Sequence, residues 1–255
     1  MSYTYKYPHA AITADCVIYG FDGEKLKILL VERGEEPYKG MWALPGGFMK
    51  IDESIEETAK RELFEETGLK NVFMTQFKTF SRVDRDPRER VVTVVFTALV
   101  RPNDYRLVAG DDASNALWFD ERYLPPLAFD HEQIIEEAHK YLEELLRLKP
   151  VAFELLGKTF SLGELQRVYE EINRKSYDRR NFQRKAMMSG IISLVEEKDI
   201  AFGEVSEECL LCSSMPSPRP GRKASRLFTY NKKEKRNPEE DDDNESTTIK
   251  DLFDY

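Results

Sequence analysis

Residues 47–69 read GFMKIDESIEETAKRELFEETGL. Within them Gly47, Glu53, Arg61, Glu62, Glu65, Glu66 and Gly68 stand at the spacing G-x5-E-x7-R-E-U-x-E-E-x-G-U, with Leu63 and Leu69 in the two apolar slots U. From Glu53 the chain runs to Gly68 without glycine or proline, while Ile55, Ala59 and Leu63 recur every four residues. That period predicts an amphipathic helix with one buried stripe, Asp52 as its N-cap and Gly68 as a left-handed C-terminal cap. On such a helix Glu62, Glu65 and Glu66 share one face. Like charges so placed repel by roughly a few tenths of a kcal/mol per pair in water, and by more when partly desolvated. A hard divalent cation removes that penalty, and Mg²⁺ favours this donor set of carboxylates, water and phosphate oxygens. Taken alone, the helix also reads as a solvated acidic face with an ordinary Arg61–Glu65 ion pair.

The preceding Trp42-Ala43-Leu44-Pro45-Gly46-Gly47 tips the balance toward a metal site. It reads as an apolar strand end running into a glycine-rich loop, which lets backbone approach a phosphate closely and makes Gly46 and Gly47 candidate substrate contacts. Seven fixed identities at roughly 5–10% usage each coincide by chance on the order of once in 10⁸ alignments. The stretch resembles a complete Nudix box, the signature of Mg²⁺-dependent hydrolases of nucleoside diphosphates linked to another group. The resemblance implies an α/β/α sandwich with a mixed sheet. It also implies Glu62, Glu65 and Glu66 as metal ligands for Mg²⁺ or Mn²⁺, and Arg61 holding a box glutamate by a salt bridge. The reaction it implies is attack of water on a phosphorus of a pyrophosphate bridge, with a box glutamate or a later one orienting the water. Glu121 is the candidate later glutamate, with a surface turn as its alternative role.

The rest of the first half fits such a domain. Residues 10–21 and 26–32 are β-rich runs joined by Asp22-Gly23, a hairpin signal. Val91-Val92-Thr93-Val94-Val95-Phe96 reads as a buried strand, and residues 130–147 as an amphipathic helix. Residues 81–90, SRVDRDPRER, are dense in charge. Arg85 and Arg88 there suit a diphosphate, because a guanidinium fork binds oxyanions bidentately, although a plain solvated hairpin loop fits equally.

Charge divides the chain. Residues 1–150 hold 20 Lys/Arg against 27 Asp/Glu, residues 151–236 hold 17 against 12, and residues 237–255 hold 1 against 8. We therefore expect a domain at 1–149, a second at 150–236 and a disordered acidic tail at 237–255. No apolar run approaches the ~20 residues of a membrane span, and three cysteines suggest no disulfide framework. A cytoplasmic protein without a membrane partner is the expectation.

Ser161-Leu162-Gly163-Glu164 is a capping box opening one helix. After a break at 175–177, Asp178 caps a second helix that Gly190 ends, and residues 191–196 and 224–230 read as strands. Two helices, a short turn and two strands form the order of a winged helix-turn-helix. Its second helix presents Arg179, Arg180, Gln183, Arg184 and Lys185, a face able to enter the major groove of double-stranded DNA, with Arg222 and Lys223 in the wing.

This half, with Phe160-Ser161-Leu162 and Asp178-Arg179-Arg180-Asn181-Phe182, resembles the Nudix-related transcriptional regulators of the NrtR family, as does 124–131, LPPLAFDH. In that family the Nudix domain senses a ligand such as ADP-ribose or a sugar derivative, and ligand binding alters the operator affinity of a homodimer. Many members have eroded boxes, whereas every position is filled here. Two readings follow. One is a Mg²⁺-dependent hydrolase of an ADP-ribose-like substrate fused to a DNA-binding module. The other is a regulator that binds such a nucleotide-sugar-like molecule without cleaving it. Cys209 and Cys212 have C-x2-C spacing without a second pair, so they complete no zinc site.

Overall fold

The computed structural model describes residues 6–105, 107, 113–195 and 226–231. Strands β1 (Ala11–Phe21) and β2 (Leu26–Arg33) form the expected hairpin, in whose turn Asp22 Oδ1 accepts the amides of Glu24 and Lys25. They are followed by β3 (Trp42–Ala43), β4 (Gly46–Phe48), helix α1 (Ile55–Thr67), β5 (Thr75–Phe80), β6 (Val91–Val100), β7 (Ala113–Asp120) and helix α2 (His131–Leu148). The sheet runs β3-β2-β1-β6-β5, with β4 on β1 and β7 on β2. β1 and β6 are parallel and the other pairs antiparallel, so the sheet is mixed.

β1 is buried on both faces, and its alternation sends side chains to two cores. Ala14, Cys16 and Ile18 pack with Ala59 and Leu63 of α1. Val17, Tyr19 and Phe21 pack with Ile134, Ala138 and Leu142 of α2. The resulting sandwich of helix, sheet and helix is the expected one. α1 departs from the sequence reading at its start. Its N-cap is Ser54, not Asp52, because Ser54 and Glu57 form a capping box that satisfies two backbone amides at once. Gly68 does close it at φ 76°, as expected.

The second half continues through α3 (Leu162–Asn173), α4 (Arg179–Met188), β8 (Ile192–Leu194) and β9 (Phe228–Tyr230), with β8 antiparallel to β9. Ser161 with Glu164 and Asp178 cap the two helices as expected. The core of this half, including Leu165, Val168, Ile172, Phe182 and Phe228, is continuous with the α2 face of the sheet. Ion pairs lace the same seam. Lys25 and Arg122 meet Glu171 at 3.3 and 3.2 Å, and Arg174 meets Glu121 at 2.6 Å. Arg222 and Lys223, Cys209 and Cys212, and the tail 237–255 lie outside the described residues. Among the described residues no helix is long and apolar enough to cross a membrane.

Candidate functional site

The box builds one wall of a cavity of about 410 Å³. Gly46 has φ 157° and a Cβ there would run into the carbonyl oxygen of Ala14, while one at Gly47 would run into the Glu62 carboxylate. Gly46 thus lets β4 lie against β1, and Gly47 lets the Glu62 side chain of α1 close on β4. The Gly46 N–H donates to Glu66 Oε2 at 2.8 Å, so this donor serves the box carboxylate.

Arg61 is the tie of the box. Its Nε and one terminal nitrogen donate to the two Glu53 oxygens at 2.6 and 2.9 Å. The other terminal nitrogen reaches Glu62 at 2.6 Å and Glu65 at 2.9 Å. This pairing holds the Glu53 carboxyl down at about 2. Glu66 differs. Burial pushes its carboxyl up to about 8, with the Glu62 and Asp15 charges adding to the push and the Gly46 N–H opposing it. Burial likewise raises Glu62 against the pull of Arg61. Two desolvated carboxylates side by side, with one arginine turned to only one of them, form a donor set short of positive charge. Its hard oxygens fit a divalent cation. Among the described residues no three acidic, His or Cys side chains already converge on one point. Arg61 bridges Glu62 and Glu65, which keeps those two carboxylates on its guanidinium.

The opposite wall joins residues distant in sequence. Arg85 is buried and its fork is occupied: it donates to both Asp130 oxygens at 3.1 and 2.8 Å and faces Asp15 at 3.4 Å. It therefore braces the cavity floor, and its role as a diphosphate contact shrinks to a wall position. His131 beside it accepts the Leu44 N–H on Nδ1 at 2.9 Å, and burial lowers its pKa. Arg88, held by Asp86 at 2.7 Å, lies over the rings of Phe48 and Phe129 with its guanidinium carbon 5.0 and 5.5 Å from their centroids. Arg33 lies over the other side of the same region, 4.8 Å from the Phe129 centroid. Sequence reasoning missed Arg33, whose only signal was a cation at the end of the predicted strand β2. It donates to the Pro37 carbonyl at 2.8 Å and ion-pairs with no carboxylate among the described residues. Arg33 and Arg88 thus face one cavity; burial first and the Arg88 charge second lower the Arg33 pKa below its usual value.

Glu121 is absent from this cavity. It lies buried in the seam between the two halves, 3.1 Å from His139 Nδ1 and 2.6 Å from Arg174, which removes it as the later catalytic glutamate. On the other half, α4 exposes Arg179, Arg180 and Arg184 and half-buries Gln183 and Lys185, while Phe182 and Ala186 face the core. A second groove runs between α3 and α4, with Arg167, Arg179 and Arg226 on its walls.

Comparison with known proteins supports both halves. The NUDIX domain model matches residues 9–138, and the NrtR DNA-binding winged helix domain model matches residues 152–203. The ADPR responsive transcriptional repressor NtrR of Acinetobacter baylyi is 31% identical over 198 residues, covering 76% of this chain and 79% of the relative. The ADP-ribose pyrophosphatase of Methanocaldococcus jannaschii is 44% identical over 131 residues, covering 51% and 74%. Among solved structures, Shewanella oneidensis NrtR complexed with a 27mer DNA superimposes with a TM-score of 0.65 at 29% identity, over 86% of this chain and 93% of that one. A MutT/nudix family protein from Enterococcus faecalis gives 0.68 at 27% identity, over 90% of each.

Proposed function

The chain belongs to the Nudix family and carries the NrtR-type winged helix. On that footing we propose that it is a DNA-binding transcriptional regulator whose Nudix cavity takes ADP-ribose or a near relative and retains the means to hydrolyse it. The observation that carries the reading is the union of a complete, geometrically assembled box with a winged helix on one continuous core. The hydrolase and regulator readings are then two aspects of one molecule. The Nudix unit spans 1–149 and the DNA-binding unit 150–236.

Glu62 and Glu66, with Glu65 at the rim, would hold the divalent cation, Mg²⁺ or Mn²⁺. Bound there, it supplies charge stabilisation to the diphosphate and to the attacking water. The protein's own groups do the rest. The Gly46 N–H fixes the Glu66 carboxylate, and Arg61 fixes Glu62 and Glu65 through its contact with Glu53. Arg33 and Arg88 would offer their remaining N–H donors to phosphate oxygens from the opposite wall, one edge of Arg88 being held by both Asp86 oxygens and Arg33 Nε by the Pro37 carbonyl. Phe48 and Phe129 add aromatic surface for a base or ribose face. On α4, Arg179, Arg180, Gln183, Arg184 and Lys185 form the recognition face, and a homodimer would present two such helices to the halves of an operator.

Purified protein with Mg²⁺ and ADP-ribose is expected to release AMP. Turnover no greater than that of Glu66→Gln would remove the hydrolytic part and leave the sensor.

A further inference from the structure

The groove between α3 and α4 is lined by Gln166, Arg167, Arg179, Gln183, Arg226 and Phe228, among others. Arg167, Arg179 and Arg226 are exposed, come from three separate segments, and ion-pair with no carboxylate among the described residues. Glu170, which also borders the groove, accepts from Gln166 Nε2 at 2.9 Å and from the Tyr177 N–H at 2.8 Å, so its charge is engaged within the domain. The groove therefore presents a convergent positive charge to whatever enters it.

The same chain carries the complementary charge a few residues away. Residues 237–255 hold eight Asp/Glu against one Lys, and six of those acids fall within 239–245. We propose that this acidic segment docks in the arginine groove and competes there with the phosphates of DNA. The competitor is taken from the regulator reading above; the docking itself is independent of it.

Distance and magnitude favour the contact. Arg226 lies five residues before Asn231, which follows β9, and position 239 lies eight residues beyond Asn231. Eight residues span at most about 29 Å, so the first acids reach the groove. A tether this short holds the segment at about millimolar local concentration, enough for individually weak ion pairs to add up. Such contacts are screened by salt, so the segment yields readily to a duplex that neutralises more charge and releases counterions. The tail thus raises the threshold for DNA binding and suppresses weak, non-specific sites first.

The test compares the full chain with a full-length variant in which the six acids of 239–245 are replaced by Asn or Gln (Glu239→Gln, Glu240→Gln, Asp241→Asn, Asp242→Asn, Asp243→Asn, Glu245→Gln). At about 50 mM salt the neutralised variant is expected to bind the protein's own upstream DNA about tenfold more tightly, and the gap to close at about 300 mM. Equal affinities at low salt would overturn the proposal. A labelled peptide of residues 237–255 is expected to bind the neutralised variant and to lose most of that binding in Arg167→Ala/Arg226→Ala. A peptide that binds the doubly substituted protein equally well would overturn the groove as its site. Peptide binding without any DNA binding would uphold the docking and sink the regulator reading instead.

Discussion

Arg174, in left-handed conformation at φ 50° where α3 ends, reaches across the seam to the buried carboxylate of Glu121 at 2.6 Å. Burial alone would raise that carboxyl, but His139 and Arg174 together hold it below its ordinary value. Two elements run from the cavity to this seam. α2 carries His131 at the cavity wall and His139 at the seam, and β2 carries Arg33 at one end and Lys25, just before its start, at the other.

Glu121→Gln is expected to cost about 2–4 kcal/mol, because it strips the charge that His139 and Arg174 both face. Arg174→Ala should cost less, about 1 kcal/mol, since Arg174 is half exposed and His139 remains. Urea unfolding reads both. The sign with pH follows from the lowered carboxyl: the stabilisation is full above the ordinary Glu value and fades as pH falls through the native one. A wild-type acid limb matching that of Glu121→Gln would contradict this. Both variants are also expected to shrink the effect of ADP-ribose on DNA affinity.

Removing the charge of Glu66 should split function from stability. Its carboxyl is raised to about 8, so in metal-free protein its contribution is full below its ordinary range and is lost as pH rises toward 8. Glu66→Gln is therefore expected to melt higher than wild type at pH 9 without metal and equally at pH 5. It should also lose most of the Mg²⁺-induced rise in Tm. A metal response equal to wild type would remove Glu66 from the ligand set.

Arg85 and Arg88, three residues apart, should behave oppositely. Arg85→Met leaves Asp130 and Asp15 buried without their cation and is expected to destabilise by about 3–5 kcal/mol. Arg88→Ala leaves the buried Asp86 without its bidentate partner and is expected to cost less, about 2 kcal/mol, yet weaken ADP-ribose binding about ten- to hundredfold. Calorimetric titration beside thermal melts separates them. A binding loss confined to Arg85→Met would reverse the assignment.

On the DNA side, Arg180→Ala and Arg184→Ala are expected to weaken binding to the protein's own upstream DNA. For every phosphate left without its arginine, the slope of log affinity against log salt should become shallower by about 0.9. Gel shifts at several salt concentrations read both quantities, and unchanged slopes and affinities would take α4 off the DNA.

Legibility from sequence followed the range of the interactions. α1, α3 and α4 were readable because caps and apolar period act within a few residues, and Ser161 with Glu164 shows it. The start of α1 was misplaced because Asp52 and Ser54 both qualify as caps, and only the capping box with Glu57 decides. β5 and β7 carry no clear strand pattern. β5 is an edge strand with mostly exposed residues, and β7 carries Ser and Asn among its apolar side chains. The Arg85–Asp130–Asp15 brace joins side chains 45 and 70 positions apart, which no local pattern encodes. From sequence Glu121 reads as a catalytic candidate or a surface turn residue, and only the second half packed over it buries it.

A regulator built this way couples its Nudix cavity to its DNA-binding face. The most direct measurement is the affinity of the full chain for its own upstream DNA, with and without ADP-ribose. It is best made in Glu66→Gln, so that the ligand is not consumed. A change of about fivefold or more is expected, within the range of ordinary allosteric coupling. Identical affinities at saturating ADP-ribose, with ligand binding verified in the same sample, would contradict it.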